Sequence, residues 1–230
     1  MALFRAIPTL SDEIRGWRAG YRHVAGVDEA GRGPMAGPVV AGAVILDPQF
    51  AQQWWSELRD SKALTPAQRV RLAQRLYENA AVATGLASHE EIDALGLLAA
   101  TRQAMLRALA ALPRQPDLVL TDAVTLPEKG GPHPHGSSWA QRAIVHGDAR
   151  SVTIAAASIV AKVERDLLMD EHDRSYPLYG FGHNRGYCTS DHLRALERHG
   201  PCPIHRRSFA PVRAYLERHP QEDSRQRRMR

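Results

Sequence analysis

Val39 to Leu46 reads VVAGAVIL, eight residues without one polar side chain and rich in β-branched types. A run this short and this apolar suits a strand covered on both faces, which requires a layered fold with helices packed on a sheet. His23 to Asp28 (HVAGVD), Ala81 to Ala87, Leu118 to Leu120 and Ala143 to Val145 read as further strands. Helical patterns separate them. Thr65-Pro66 writes a helix start, with Val70, Ala73 and Tyr77 following at helical spacing. Ile92 to Leu112 reads as one long helix stopped by Pro113, Ser151 to Met169 as an alanine-rich helix, and 190–199 and 208–218 as two shorter ones. The segment 1–22 is mixed and gives no clear pattern. These elements predict an α/β fold with a mixed sheet and a helical C-terminal part. One domain is expected over 1–218, followed by a polar, basic, unstructured tail over 219–230.

Carboxylates stand where the apolar strands end. Asp28-Glu29 meets a glycine- and proline-rich stretch (Gly31, Gly33, Pro34, Gly37, Pro38), and Asp122 closes LVLTD. Two adjacent acids at a buried strand end repel each other and lose hydration, a cost that a hard divalent cation offsets. Taken alone, Asp-Glu is more often an exposed turn. If the two strands are neighbours, their ends lie about 5 Å apart, the scale for carboxylates sharing ions about 4 Å apart. Asp148 and Asp166 compete for a fourth place. They are 18 residues apart, about 27 Å along a continuous helix, so both cannot hold one metal pair. Ser158, Lys162 and Asp166 form a polar stripe at i, i+4, i+8, which also fits a solvated face.

The chain has 230 residues and a formal net charge of +5. A basic balance favours polyanionic partners without establishing one. Cys188 and Cys202 fit no zinc spacing and read as free thiols of a reducing compartment. No signal peptide and no membrane-length apolar run is evident, so a cytoplasmic protein without a membrane partner is expected.

Four ordered blocks carry a resemblance: VAGVDEAGRGPMAGPVVAGAVIL (24–46), DSKALTPAQR (60–69), GDARSVTIAAASIVAKVERD (147–166) and GFGHNRGYCTSDHLRALERHGPCPIHRRSF (180–209). Together they resemble the ribonuclease HII family. The resemblance implies an RNase H-like fold with a five-stranded mixed sheet flanked by helices. It implies catalytic, metal-binding acids at Asp28, Glu29, Asp122 and Asp148, with Mg²⁺ or Mn²⁺ as a pair of ions, and it makes Asp166 a supporting residue. The implied reaction is endonucleolytic hydrolysis of RNA in RNA–DNA hybrids and on the 5′ side of single ribonucleotides in duplex DNA, leaving a 5′-phosphate and a 3′-hydroxyl.

The resemblance also assigns nucleic-acid contacts. Gly31-Arg32-Gly33 would read the ribose through its backbone, since glycines admit a sugar closely and only the 2′-hydroxyl separates RNA from DNA. A plain tight turn is the alternative reading of that tripeptide. Tyr187 would sense the ribose–deoxyribose junction, although Cys188 stands where the family usually has Gly or Pro. Ser61, Lys62 and Lys162 suit phosphate contact. Arg225, Arg227, Arg228 and Arg230 would add nonspecific affinity or merely solvate the tail. The loop 127–138, with His133 and His135, departs from the family pattern and is expected to be exposed.

The nearest alternative is ribonuclease HIII, against which stand the roughly 27 residues before Asp28 and the GRGP loop. A non-catalytic binding module on the same fold would lack one of the acids. A phosphate-cradling metabolic enzyme would need a different glycine spacing. No obligate protein partner is evident, and a monomer is expected.

Overall fold

The computed structural model describes residues 7–48, 53–127 and 139–221. Of the 127–138 loop only Pro127 falls among them; His133, His135 and the four tail arginines lie outside the described residues. The chain forms two compact units, each assembled from separate stretches. The first comprises residues up to Ala30, Val40–Leu86 and Thr101–Glu164; the second comprises Gly31–Val39, Ala87–Ala100 and the chain from Arg165 onward.

The first unit holds the sheet. Its strands are β1 (Val24–Ala30), β2 (Val39–Ile45), β3 (Ala81–Ala87), β4 (Leu118–Asp122) and β5 (Ala140–Ile144), in the order β3-β2-β1-β4-β5. β1 pairs antiparallel with β2 and parallel with β4, which pairs parallel with β5, so the expected five-stranded mixed sheet is present. β2 is buried at every position, as its sequence demanded. β5 begins three residues earlier than the apolar cluster 143–145 indicated and ends at Ile144, because its first residues are only half-buried and include the polar Gln141 and Arg142.

The first helix, α1 (Ser11–Arg18), lies in the segment that gave no sequence pattern. It buries Glu13 rather than an apolar stripe. The Glu13 Oε1 accepts from the Thr153 amide (2.9 Å), the Thr153 hydroxyl (2.8 Å) and the Ser151 hydroxyl (2.6 Å). It thereby satisfies the amino-terminal turn of a helix 140 residues away in sequence. Next comes α2 (Pro66–Asn79), which opens with a capping box between Thr65 and Gln68 worth about 1 kcal/mol. Its buried face is Leu72, Ala73 and Leu76; Val70 and Tyr77, two of the residues marking its period, are exposed.

The apolar pattern over 92–112 is not one helix. Ser88 and Glu91 form a capping box that starts α3 (His89–Leu95), Gly96 turns the chain at φ 81°, and α4 (Leu97–Ala110) follows. A left-handed glycine ends a helix even where the hydrophobic periodicity runs on.

The longest helix, α5 (Val152–Ser175), lies backbone to backbone on the sheet. A Cβ at Gly26 of β1 would sit 2.2 Å from the Thr153 carbonyl carbon, and one at Gly42 of β2 would sit 2.4 Å from the Ala157 carbonyl oxygen. Only glycine permits that approach. Val152, Ala155–Ala157, Ile159 and Val160 then pack with Val44, Leu46, Leu72 and Leu76 in the main core.

The second unit is built on α6 (Phe181–Asn184), α7 (Ser190–His199) and α8 (Ala210–Arg218). Met169, Tyr179, Phe181, Cys202 and Ile204 form one of its cores, and Met35, Leu196, Val212 and Tyr215 another. Both cysteines are free, Cys188 exposed and Cys202 buried. Among the described residues no helix is long and apolar enough to cross a membrane.

Candidate active site

The parallel pairing of β1 with β4 sets Val27 beside Thr121, so the next residues of the two strands are Asp28 and Asp122. Asp28 lies opposite Gly42 and two residues after Gly26. It therefore projects from the sheet face on which α5 lies, where Ser158 hydrogen-bonds its carboxylate. The Ser158 hydroxyl is in turn 2.9 Å from that of Ser61, which ties the DSK turn to this face. Asp122 accepts a hydrogen bond from the Gly147 amide (2.9 Å) and so anchors the 3₁₀ turn Gly147–Ala149 that carries Asp148. A Cβ at Gly147 would sit 2.7 Å from the Ile154 Cδ1 and 3.3 Å from the Asp122 Cα, so the turn packs closely here.

Carboxylate oxygens of Asp28, Asp122 and Asp148 all come within 4.8 Å of one another. Glu29, the next residue of β1, is not in that triplet, although its charge bears on Asp28. Burial raises Asp28 well above the usual carboxylate range, and the charges of Glu29 and Asp122 push it further. Asp148 is raised by burial and by Asp60 and Asp122, against the opposing pull of Lys62. Lys62 Nζ lies 3.4 Å from Asp148 and 3.7 Å from Asp60. Burial would lower this lysine, but Asp60, Asp148 and Asp28 outweigh it and raise it. Three all-oxygen ligands, a repulsion that a cation relieves, and a buried carboxylate fit a hard divalent ion.

Lys162 lies on α5, half-buried, one turn beyond Ser158. The stripe at 158, 162 and 166 is not a solvated face, because Ser158 is buried at the acid cluster. Asp166 is not part of that cluster. It pairs with Arg185 (3.8 Å), whose Nη1 also donates to the Asp166 carbonyl (2.9 Å) and to Asp170. Asp166 thus supports the turn that carries Tyr187.

The second unit holds the residues expected to contact ribose. Tyr187 is 47% exposed, and its Cε1 lies 3.5 Å from where a Cβ would stand on Gly33, so ring and glycine adjoin. Arg32 and Gly33 are exposed. The Tyr187 carbonyl accepts from His192 Nδ1 (2.8 Å), and His192 Nε2 is 3.0 Å from His205 Nε2. His205 Nδ1 accepts from the Cys202 amide (3.0 Å). These partners assign one tautomer to each ring: His205 donates from Nε2, and His192 accepts there and donates from Nδ1. Burial, with His192 alongside, lowers His205 to about 3, so it is neutral at physiological pH.

Sequence reasoning missed Asp60, His192, His205, Arg185 and two wholly buried arginines, Arg165 and Arg206. His192, His205, Arg165 and Arg206 act through backbone atoms or through each other, and Arg185 through Asp166 and Asp170 on a distant helix, which no local spacing encodes. Asp60 stands in the DSK block but reads there as the cap of a turn, a role it also fills by accepting from the Lys62 amide.

Among the described residues, the three non-glycine residues with positive φ are Ala123, His146 and Arg185. One follows Asp122, one precedes Asp148 by two residues and one precedes Tyr187 by two. Each such conformation costs roughly 1 kcal/mol or more and persists where surrounding structure enforces it, a pattern typical of functional sites.

The family profile described as Ribonuclease HII matches residues 25–212. A ribonuclease HII of Desulfitobacterium hafniense is 50% identical over 209 residues, spanning 90% of this chain and 76% of that protein. One of Chloroflexus aurantiacus is 48% identical over 209 residues, spanning 90% and 95%. Among solved structures, the ribonuclease H2 of Pyrococcus horikoshii OT3 superposes with a TM-score of 0.70 at 28% identity, covering 85% of this chain and 98% of that one. The sheet order, the clustered aspartates and these matches agree: the chain belongs to the ribonuclease HII family, the divalent-metal-dependent type 2 ribonucleases H.

Proposed function

We propose that this endonuclease cuts on the 5′ side of ribonucleotides in duplex DNA and within RNA–DNA hybrids, with Asp28, Glu29, Asp122 and Asp148 holding its metal ions. The observation that carries the reading is the meeting of Asp28, Asp122 and Asp148 within 4.8 Å at the ends of two parallel strands. Asp28, Glu29, Asp122 and Asp148 would hold divalent ions that, when bound, would supply a water of lowered pKa and positive charge for the departing 3′-oxygen. Mg²⁺ and Mn²⁺ both suit the all-oxygen set.

The chain's own groups do the rest. The hydrogen bonds from Ser158 to Asp28 and from the Gly147 amide to Asp122 hold two ligands in position before any substrate arrives. Lys62 offsets negative charge at Asp148 and offers an exposed ammonium for a phosphate, a contact that positions the duplex without reading its sequence. Lys162 is assigned the same role. Gly31, Arg32 and Gly33 contact the ribose, and Tyr187 lies against its neighbouring sugar. Residues 1–218 are assigned to one catalytic domain.

The test is cleavage of a DNA duplex with one ribonucleotide by Asp28→Asn, Glu29→Gln, Asp122→Asn and Asp148→Asn. Each is expected to lose activity while binding the duplex normally. Near-normal turnover by any of them removes that residue from the metal set.

A further inference from the structure

Arg165 and Arg206 are 1% and 0% exposed. Buried guanidinium groups are normally paired with carboxylates. Here both are spent on carbonyls. Arg206 donates from Nε to Gly37 (2.9 Å), from Nη1 to Arg32 (3.0 Å) and from Nη2 to Gly31 (2.6 Å). Arg165 donates from Nε to Pro38 (3.0 Å), from Nη2 to Ala36 (3.2 Å) and from Nη1 to Arg185 (3.0 Å). The Arg206 amide also donates to the Met35 carbonyl (2.9 Å). The loop 31–38 is thus held from inside by two cations. Burial lowers Arg206 to about 9 and Arg165 to about 10, still charged at neutral pH.

Peptide planarity gives this clamp a consequence. In a trans peptide the carbonyl of one residue and the amide of the next point in opposite directions. With the carbonyls of Gly31 and Arg32 both aimed at Arg206, the amides of Arg32 and Gly33 both face away from it. Two successive amides facing one way form a cradle for an oxygen atom. Gly31 permits the bend, at φ 97° and with a would-be Cβ only 2.0 Å from Arg165 Nε.

We infer that Arg206 is a positioning residue for ribose recognition: its fork, buried under Phe209, sets the direction of the Arg32 and Gly33 amides. The Arg206 Cζ lies 5.0 Å from the Phe209 ring centroid, which holds the fork in plane. The inference rests on the reading that Gly31–Gly33 contacts the ribose. Lysine would keep the charge but cannot reach three divergent carbonyls from one nitrogen.

The experiment compares wild type, Arg206→Lys and Gly33→Val on a duplex with one ribonucleotide and on its all-DNA counterpart. Affinities are measured in Ca²⁺, kcat and KM in Mg²⁺, and folding by thermal melting. Folded Arg206→Lys is expected to lose about tenfold of the ribo-over-deoxy binding preference. KM should rise by a similar factor, with kcat within threefold of wild type and all-DNA affinity unchanged. A folded Arg206→Lys that keeps the full preference, while Gly33→Val loses it, overturns the inference and leaves the loop reading standing. Preference retained by Gly33→Val overturns the loop reading and the inference with it. If Arg206→Lys does not fold, Phe209→Leu takes its place. A threefold loss of preference there supports the positioning role, and an unchanged preference overturns it.

Discussion

The acid cluster of the first unit and the arginine clamp of the second are opposite solutions to burying charge. At the cluster, Asp28, Asp122 and Asp148 crowd like charges together, and burial raises Asp28 and Asp148 above their ordinary range. Lys62 offsets part of that charge at Asp148, and a hard divalent cation would offset more. At the clamp, Arg165 and Arg206 are equally buried, but each has three carbonyl partners from its own chain. The cluster is poised to take up ions. The clamp is complete as it stands and gives its surroundings a fixed shape. The cluster leaves like charges crowded together, whereas the clamp gives each buried charge hydrogen-bond acceptors.

Asp28→Asn probes that contrast hardest. Cleavage should fall on the order of a thousandfold, since a ligand to the ions contributes several kcal/mol to the transition state. The melting temperature in EDTA should hold or rise, because one of three mutually repelling charges is gone. A large fall in metal-free stability would mean that the cluster, like the clamp, is internally satisfied.

The support beneath the cluster is tested by Gly26→Ala. The new methyl would sit 2.2 Å from the α5 backbone, and the strain should cost about 3 kcal/mol of stability, with activity falling as α5 lifts from the sheet. A melting temperature within a degree of wild type would show that α5 is not held there by glycine.

The histidine pair beneath Tyr187 gives the second unit a pH signature. His205 is neutral in the native state down to about pH 3, against 6.5 in an unfolded chain. Between those values the unfolded chain takes up a proton that the native chain does not. Stability from this group is therefore complete above about pH 6.5 and is lost as pH falls toward 3, by on the order of 5 kcal/mol. Urea unfolding of wild type and His205→Asn across pH 4–7.5 checks it. The gap between the two should narrow as pH falls, and a constant gap would contradict the assignment.

Tyr187→Ala is expected to have the smallest effect, about a tenfold loss on single-ribonucleotide duplexes and less on long hybrids. Equal losses on both would reduce Tyr187 to a structural part of its turn.

The cluster was legible because Asp28 and Asp122 stand at the ends of apolar runs and the pairing of β1 with β4 does the rest. Asp148 was legible only through the GDARS block, since in residue terms alone Asp166 competed with it. The structure separates the two by what each touches: Asp148 meets Lys62 and the other aspartates, and Asp166 meets Arg185. The clamp was not legible. A buried arginine bonded to carbonyls carries no partner residue type in the sequence, and Arg206 binds a loop some 170 residues away. The helix α1 was missed for a related reason: it buries Asp12, Glu13 and Gly16 rather than an apolar stripe, with Glu13 matched to the start of α5. The break at Gly96 was masked by apolar residues that continue across it.

The central claim, that these acids with divalent ions cut beside a ribose, is tested most directly on a DNA duplex carrying one ribonucleotide, with Mg²⁺, then with EDTA, and beside an all-DNA control. The expected result is a single metal-dependent cut on the 5′ side of the ribonucleotide, leaving a 5′-phosphate, with the control intact. A cut that persists in EDTA, or equal cleavage of the all-DNA duplex, would contradict it.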